Sequence, residues 1–503
     1  MFIFQNSNER IIVNLEAIVD LENSVKLKNI NLLIILTLSQ PISAELAVII
    51  KPVIDFTYLP IQSHQRIPIC PVKVGDDAIS CPRIHQGLFN EIVDIVRTED
   101  QQALVAVKNC FFQTNKSLDK LSQFWTAQEN LLLLTNLGPH QAHIPAPIDF
   151  AKPDSLYNAQ IVTLISPYYS TITNQTYSAG TRFVLVSDTG IYNTNSHSSS
   201  NNENNLEISN NHSTSHYQVY IYDPKLNKII IEQLDKKRCL KLSEDLLDYD
   251  HGQHRQLFIT ILQQWVNHPV QLSSGPFTIE ELTATNTNKK TLKTKKLIPK
   301  SKHKQLKANH ANPIIKRYIQ PRPIAPFIPY VWGGCSYTTL CTDPYFQLKT
   351  VRSKKRPHAK PRRYFEYPTS QTQPYNGFDC AGLILRAAQA SGIPYFYKNT
   401  ATILQNLEPL QPEDQVANGD LIWLPAHIMI ISDVEHNLCI EARHYAQGYG
   451  KVHETPIHKI FKDINNYQDL RAAHFSQSLV DRLDRHQKSA QKVKIKILKL
   501  KMA

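Results

Sequence analysis

Two residues far apart in the chain have the types needed for nucleophilic chemistry once folding brings them together. Cys380 stands in Asp379-Cys380-Ala381-Gly382, and His427 heads the apolar run His427-Ile428-Met429-Ile430-Ile431. An imidazole beside a thiol can take its proton during attack on an amide and later return that proton to the leaving amine. A third group must hold the ring by accepting its second N–H, and Glu441, within Leu438-Cys439-Ile440-Glu441-Ala442, is placed for this. Upstream, Tyr330-Val331-Trp332-Gly333-Gly334 adds a hydroxyl able to hydrogen-bond near the sulfur, and glycines that let another backbone approach closely. His436, His444 and His453 are further bases, expected in a turn and a loop, exposed and idle. The chain has 20 histidines but no HExxH or comparable ligand spacing, so neither a metal nor any other cofactor is expected.

The elements that must position these groups are legible around them. Asp379 is a suitable N-cap for a helix over Leu383–Gln389, Gly392 a suitable left-handed terminator, and Pro394 prevents continuation. Cys380 then falls in the first helical turn. There the free N–H groups and the helix dipole should lower the thiol pKa, and the same N–H groups can stabilise an oxyanion. Downstream, Asn418-Gly419-Asp420-Leu421-Ile422-Trp423, then the histidine run, a turn at Ser432–Asn437 and the Glu441 segment read as consecutive antiparallel strands. Leu257, Ile261 and Trp265 recur at helical spacing within residues 244–267, a stripe expected in a core.

Tyr-x-Trp-Gly-Gly, then Phe-Asp-Cys-x-Gly-Leu at a helix start, then Gly-Asp-Leu, then a histidine leading an apolar strand, resembles the NlpC-type cell-wall cysteine peptidases over about residues 326–469. The resemblance implies an α+β, papain-like catalytic domain in which the helix carrying the cysteine packs on an antiparallel sheet. It implies Cys380 as nucleophile, His427 as base, Glu441 as orienting residue and Tyr330 beside the nucleophile. Asp379, Trp332 and Gly333 would then contact the substrate. The implied reaction is hydrolysis of the peptidoglycan stem peptide between γ-D-glutamate and the following diamino acid. Four positions depart from the family pattern. More than forty residues are inserted between Gly334 and Phe378, including the basic RSKKRPHAKPRR, which would overhang the cleft or form a surface loop. Ala381 replaces a common serine, weakening the hold of Asp379 on a substrate amine. Glu441 stands where histidine, asparagine or glutamine is usual, and Met429 replaces a glycine, giving a bulkier wall.

Upstream, short β-rich runs punctuated by turns suggest two small β-barrels, over 45–150 and 151–282. In strand rhythm they resemble bacterial SH3-like domains. A polar tract, 193–216, interrupts the second and has no means of building a core. A lysine- and proline-rich linker spans 283–320, the catalytic domain 321–475 with its insertion 335–377, and a basic tail 476–503. Within it Gln491–Met502 reads as frayed, with a cationic strand or a surface-adhering segment as the alternative. At the other end, Lys26 and Lys28 precede the apolar run Ile30–Leu38 and then SQPISA. This is signal-peptide grammar within a 1–44 leader, implying a start near Val25, cleavage after Ala44 and a secreted, periplasmic or envelope location. The run is too short for a stable transmembrane anchor.

The net charge of +12 is concentrated, with nine lysines and no acid over 289–307. No nucleic-acid fold or stacking-aromatic pattern accompanies it, so anionic envelope polymers are the expected polyanionic partner and nucleic acid is not. Eight cysteines include no CxxC pair; Cys70 with Cys81 and Cys335 with Cys341 are near enough in sequence to be disulfide candidates. Two other functions compete: a wall-binding protein with an impaired site, and a thiol-dependent deamidase or acyltransferase on the same scaffold.

Overall fold

A computed structural model describes residues 2–6, 9–13, 45–61, 67–74, 77–79, 81–112, 122–186, 215–241, 251–267, 327–340, 347–351, 362–366, 374–444 and 448–500. The apolar run of the leader, the polar tract up to residue 214, the lysine-rich linker and RSKKRPHAKP lie outside these residues. The chain forms two units, Met1–Glu45 and Leu46–Ala503. Within the first, strand Phe2–Asn6 pairs antiparallel with Glu9–Val13. Among the described residues no helix is long and apolar enough to cross a membrane.

The larger unit mixes helices with several antiparallel sheets. Its five-stranded sheet runs Lys451–Pro456, Leu438–Arg443, His427–Asp433, Leu421–Leu424, Lys496–Leu498. The three central strands follow the sequence pattern because alternating side chains serve two separate cores. Ile428, Ile430, Ile440 and Ala442 pack with Leu383, Ile384 and Ala387 of the helix Cys380–Ala390. Met429, Ile431 and Cys439 pack with Phe461, Leu470, Val480 and Val493. Met429 is fully buried there and is absent from the cleft lining, so it does not make the site bulkier.

The helix predicted from the apolar stripe spans His251–Asn267. Leu257 and Ile261 are fully buried and Trp265 nearly so, sharing the core of the Cys380 helix. The Trp265 ring stacks on Phe378 at 5.1 Å and donates its N–H to the Ile165 carbonyl at 2.8 Å.

Residues 45–133 supply a seven-stranded sheet in the order Leu131–Leu133, Glu45–Ile49, Ile92–Glu99, Gln102–Val107, Gln123–Ala127, Val53–Thr57, Arg83–Leu88. Its apolar face is continuous with the core of the Cys380 helix through Cys110, Phe111 and Ile148. Buried polar groups tie the two together. Gln86 accepts the Cys335 N–H and gives its own amide proton to the Tyr375 carbonyl, while Arg386 pairs with Glu91 at 2.5 Å.

The carboxyl-terminal tail differs from the frayed reading. Leu479–Leu483 and Ser489–Lys494 form a hairpin, and Lys496–Leu498 is the sheet's edge strand. Its lysines face outward while Val493, Ile495 and Ile497 are buried, so the alternation is that of a half-buried strand.

Candidate active site

Asp379 caps the Cys380 helix, its Oδ1 accepting the Gly382 N–H at 2.5 Å. Gly392, at φ 80°, ends the segment in the left-handed region, as its position predicts. A Cβ at Gly382 would meet the Gly334 carbonyl oxygen at 2.1 Å, so only glycine lets the Tyr330–Gly334 segment reach the helix start. At Gly333, with φ +68°, a Cβ would strike the Arg83 carbonyl at 2.7 Å.

These approaches leave a cleft of ≈340 Å³. Tyr330, Trp332 and Gly333 form one wall, Asp379, Cys380 and Ala381 the floor, and Lys398, Asn399 and Thr400 the facing side. Arg83, Ile84 and Phe112, from the upstream sheet region, complete it. Trp332 is 44% exposed, a flat apolar surface at the rim.

The Cys380 sulfur lies within hydrogen-bond reach of two backbone N–H groups, Ile428 and Ala381. It therefore rests against the backbone of the strand that His427 begins. No hydrogen bond joins sulfur and imidazole; His427 is 7% exposed and is not among the residues lining the cleft, whereas its neighbour Ala426 is. Its Nε2 donates to Glu441 Oε2 at 2.7 Å, which leaves the ring's lone pair on Nδ1. Catalytic hydrogen bonds are commonly unmade before substrate binds.

The thiol is not acidified, contrary to the helix-start expectation. Burial pushes it up to about 12, the adjacent Asp379 carboxylate adds to this, and the Ile428 N–H, Lys398 and Ala381 N–H do not offset them. The dipole is overruled by desolvation and a like charge. Lys398, itself buried, places its ammonium 2.7 Å from Asp379 Oδ2. Both oxygens of Asp379 thus have internal partners.

His427 is lowered to about 4, chiefly by burial and then by the Arg482 guanidinium; the hydrogen bond and charge of Glu441 pull the other way. Glu441 is 1% exposed. Burial favours its neutral form, yet its hydrogen bond to His427, the nearby His453 and Arg482 hold it well below the usual carboxylate range.

No protein-family model matches the chain, and no curated protein matches it. Solved structures do. An NlpC/P60 family protein from Bacillus cereus ATCC 10987 aligns at TM-score 0.41 and 12% identity, over 84% of this chain and 96% of that one. NlpC2 from Trichomonas vaginalis aligns at TM-score 0.24 and 8% identity, over 82% and 93%. NlpC1 from the same organism aligns at 0.25 and 8%, over 84% and 91%. Scores at this level leave the site to be read from this chain's own geometry.

Three features were not expected from the sequence. Arg482, from the tail hairpin, donates to Glu441 Oε2 at 3.1 Å, the oxygen that also receives His427. His453 is buried, not idle in a loop: its Nε2 stands 3.4 Å from Glu441 Oε1 without a hydrogen bond. His444 is also partly buried, with Nε2 3.1 Å from Cys70 Sγ and its ring edge-on to Tyr330 at 5.7 Å. Strand alternation placed His453 opposite Glu441 in register, a signal that was available; nothing local marked Arg482. His436 is exposed and paired to Asp433, as expected of a turn.

Cys70 and Cys81 do not pair with each other: Cys70 Sγ stands 3.1 Å from His444 Nε2, and Cys81 Sγ donates to the Pro68 carbonyl. Of the second candidate pair, Cys341 lies outside the described residues. Among the described residues no three His, Cys, Asp or Glu side chains gather closely enough to hold a metal ion.

Proposed function

We propose that this chain is a papain-like cysteine peptidase that hydrolyses stem-peptide amide bonds of peptidoglycan, with Cys380 as nucleophile, His427 as base and Glu441 as orienting residue. The observation that carries this reading is the position of the sulfur. It opens on a cleft at a capped helix start and rests against the backbone beside a buried histidine already bonded to a carboxylate.

With a thiol held protonated and an imidazole held neutral, the resting pair is uncharged. Substrate binding brings the carbonyl carbon to the sulfur; as the S–C bond forms, the thiol proton passes to His427 Nδ1. Glu441 stabilises the imidazolium through Nε2–H, and the backbone N–H of Cys380 receives the oxyanion. The imidazolium then protonates the amine as the C–N bond breaks, and water, deprotonated by the same ring, hydrolyses the thioester. Tyr330 and Gly333 shape the wall beside the sulfur, and Trp332 offers the substrate an apolar face. The γ-D-glutamyl–diamino acid bond is the proposed target. The upstream β regions, SH3-like in this reading, place the protein on a wall reached after secretion.

Incubating purified muropeptides with the wild-type protein and Cys380→Ala tests this: new amine termini should appear only with the former. Cleavage that survives the substitution removes Cys380 as nucleophile. The raised thiol pKa favours one second reading, a wall-binding protein with an impaired site. It predicts sedimentation with walls and no muropeptide products from either protein.

A further inference from the structure

We propose that Arg482, carried by the carboxyl-terminal hairpin, is a positioning residue that supplies the counter-charge for Glu441 and so leaves His427 uncharged and able to act as a base. This rests on the Cys–His reading above.

A carboxylate buried to 1% exposure needs a positive partner close at hand. Two groups donate to Glu441 Oε2, the His427 ring at 2.7 Å and Arg482 Nη2 at 3.1 Å. Only the arginine has a fixed charge. Without it, the cheapest way to neutralise Glu441 is to protonate His427, and a ring with hydrogen on both nitrogens has no lone pair left for a thiol proton. With it, Nε2–H stays on the glutamate and Nδ1 stays bare. A neutral orienting amide would need no such partner. A glutamate in that place does.

The hairpin is built to deliver this side chain. The strand register shifts between Arg482 and Leu483, the kind of irregularity that re-aims a side chain. Leu483 N–H donates to the Ile460 carbonyl at 2.7 Å, and Arg443 Nη1 donates to the Leu483 carbonyl at 3.0 Å. Among the described residues, Glu441 is the one acid within ion-pair distance of Arg482, whose Nε has no hydrogen-bond partner. A guanidinium kept buried with unmet donors is expensive as scaffold alone. The groups facing the His427–Glu441 pair are Arg443 and Cys439 from the Glu441 strand, His453 from the next strand and Arg482 from the hairpin, which also acts on Cys380 of the helix. None but Arg482 both contacts Glu441 and carries a permanent charge.

The test uses the full chain labelled at the histidine Cε1, with the His427 signal assigned by its loss in His427→Gln. Arg482→Met should raise the ring's titration midpoint by about two pH units, and the acid limb of kcat/KM on muropeptides should move with it. Arg482→Lys should return the midpoint to within roughly half a unit. The double variant Glu441→Gln, Arg482→Gln removes both charges together, and it too should titrate near the wild type even if Arg482→Met folds poorly. A wild-type midpoint in Arg482→Met, or a high one in the double variant, overturns the proposal. A loss of activity in Arg482→Met that is uniform across pH, with the midpoint unmoved, assigns the arginine a structural role and overturns it too. The NMR midpoints need no substrate, so failure of the peptidase reading in the Cys380→Ala comparison remains a separate result.

Discussion

The sulfur of Cys380 has charges of both signs beside it, and burial decides between them. Asp379 opposes ionisation from the preceding residue and Lys398 favours it from across the cleft. Alkylation of Cys380 by iodoacetamide should therefore be slow at pH 7 and rise about tenfold per pH unit towards the thiol pKa. Asp379→Asn should speed alkylation at fixed pH by roughly tenfold, and Lys398→Met should slow it. A fast reaction at pH 7 in the wild type, as from a preformed thiolate, contradicts this account. The histidine gives a matching expectation. Its folded value, about 4, lies below the ordinary 6.5. As pH falls from 6.5 to 4 the unfolded chain binds a proton that the folded ring refuses, so stability is full above that window and lost through it. Thermal melting should show Tm falling across pH 6.5 to 4, and His427→Gln should flatten the decline.

At the scale of elements, a two-residue turn sets the histidine strand. Leu424 pairs with His427, leaving Pro425 and Ala426 to reverse the chain, and Ala426 takes φ 61°. Proline first and positive φ second is a type II pattern that prefers glycine. Ala426→Gly should relieve about 1 kcal/mol of left-handed strain and raise Tm by a few degrees; a lower Tm would show that the methyl packs usefully. The helix cap is tied to the same cleft. Asp379→Ala removes the N-cap, about 1 kcal/mol, and leaves Lys398 buried without its anion, several kcal/mol more. Asp379→Asn keeps the cap and loses only the second contribution, so urea midpoints should order wild type, then Asn, then Ala.

Across the whole of residues 46–503, the upstream sheet acts as part of the site as well as a neighbour. It contributes Arg83, Ile84 and Phe112 to the cleft and Glu91 to the buried Arg386 of the Cys380 helix. Glu91→Gln should cost about 3 kcal/mol, read by denaturant unfolding, because it strands a buried guanidinium 2% exposed. A fragment beginning near residue 321 should be insoluble or inactive for the same reason, exposing the apolar surface now covered by Phe111 and Ile148. Removing residues 477–503 should likewise abolish activity, since the hairpin and edge strand supply Arg482 and close one core. A soluble, active product of either truncation would show that the core divides where it is here continuous.

The local grammar of the chain determined the helix that begins at Cys380, its aspartate cap, its glycine end, the run of antiparallel strands and the face shared by His427 and Glu441. Each depends on neighbours within a few residues, through periodicity and capping that sequence displays. Tertiary structure alone decided the ionisation of the thiol, the engagement of Asp379 by Lys398, the burial of His453 and the arrival of Arg482. Those depend on dielectric and charge at a point in space, and the groups creating them come from positions dozens to hundreds of residues apart.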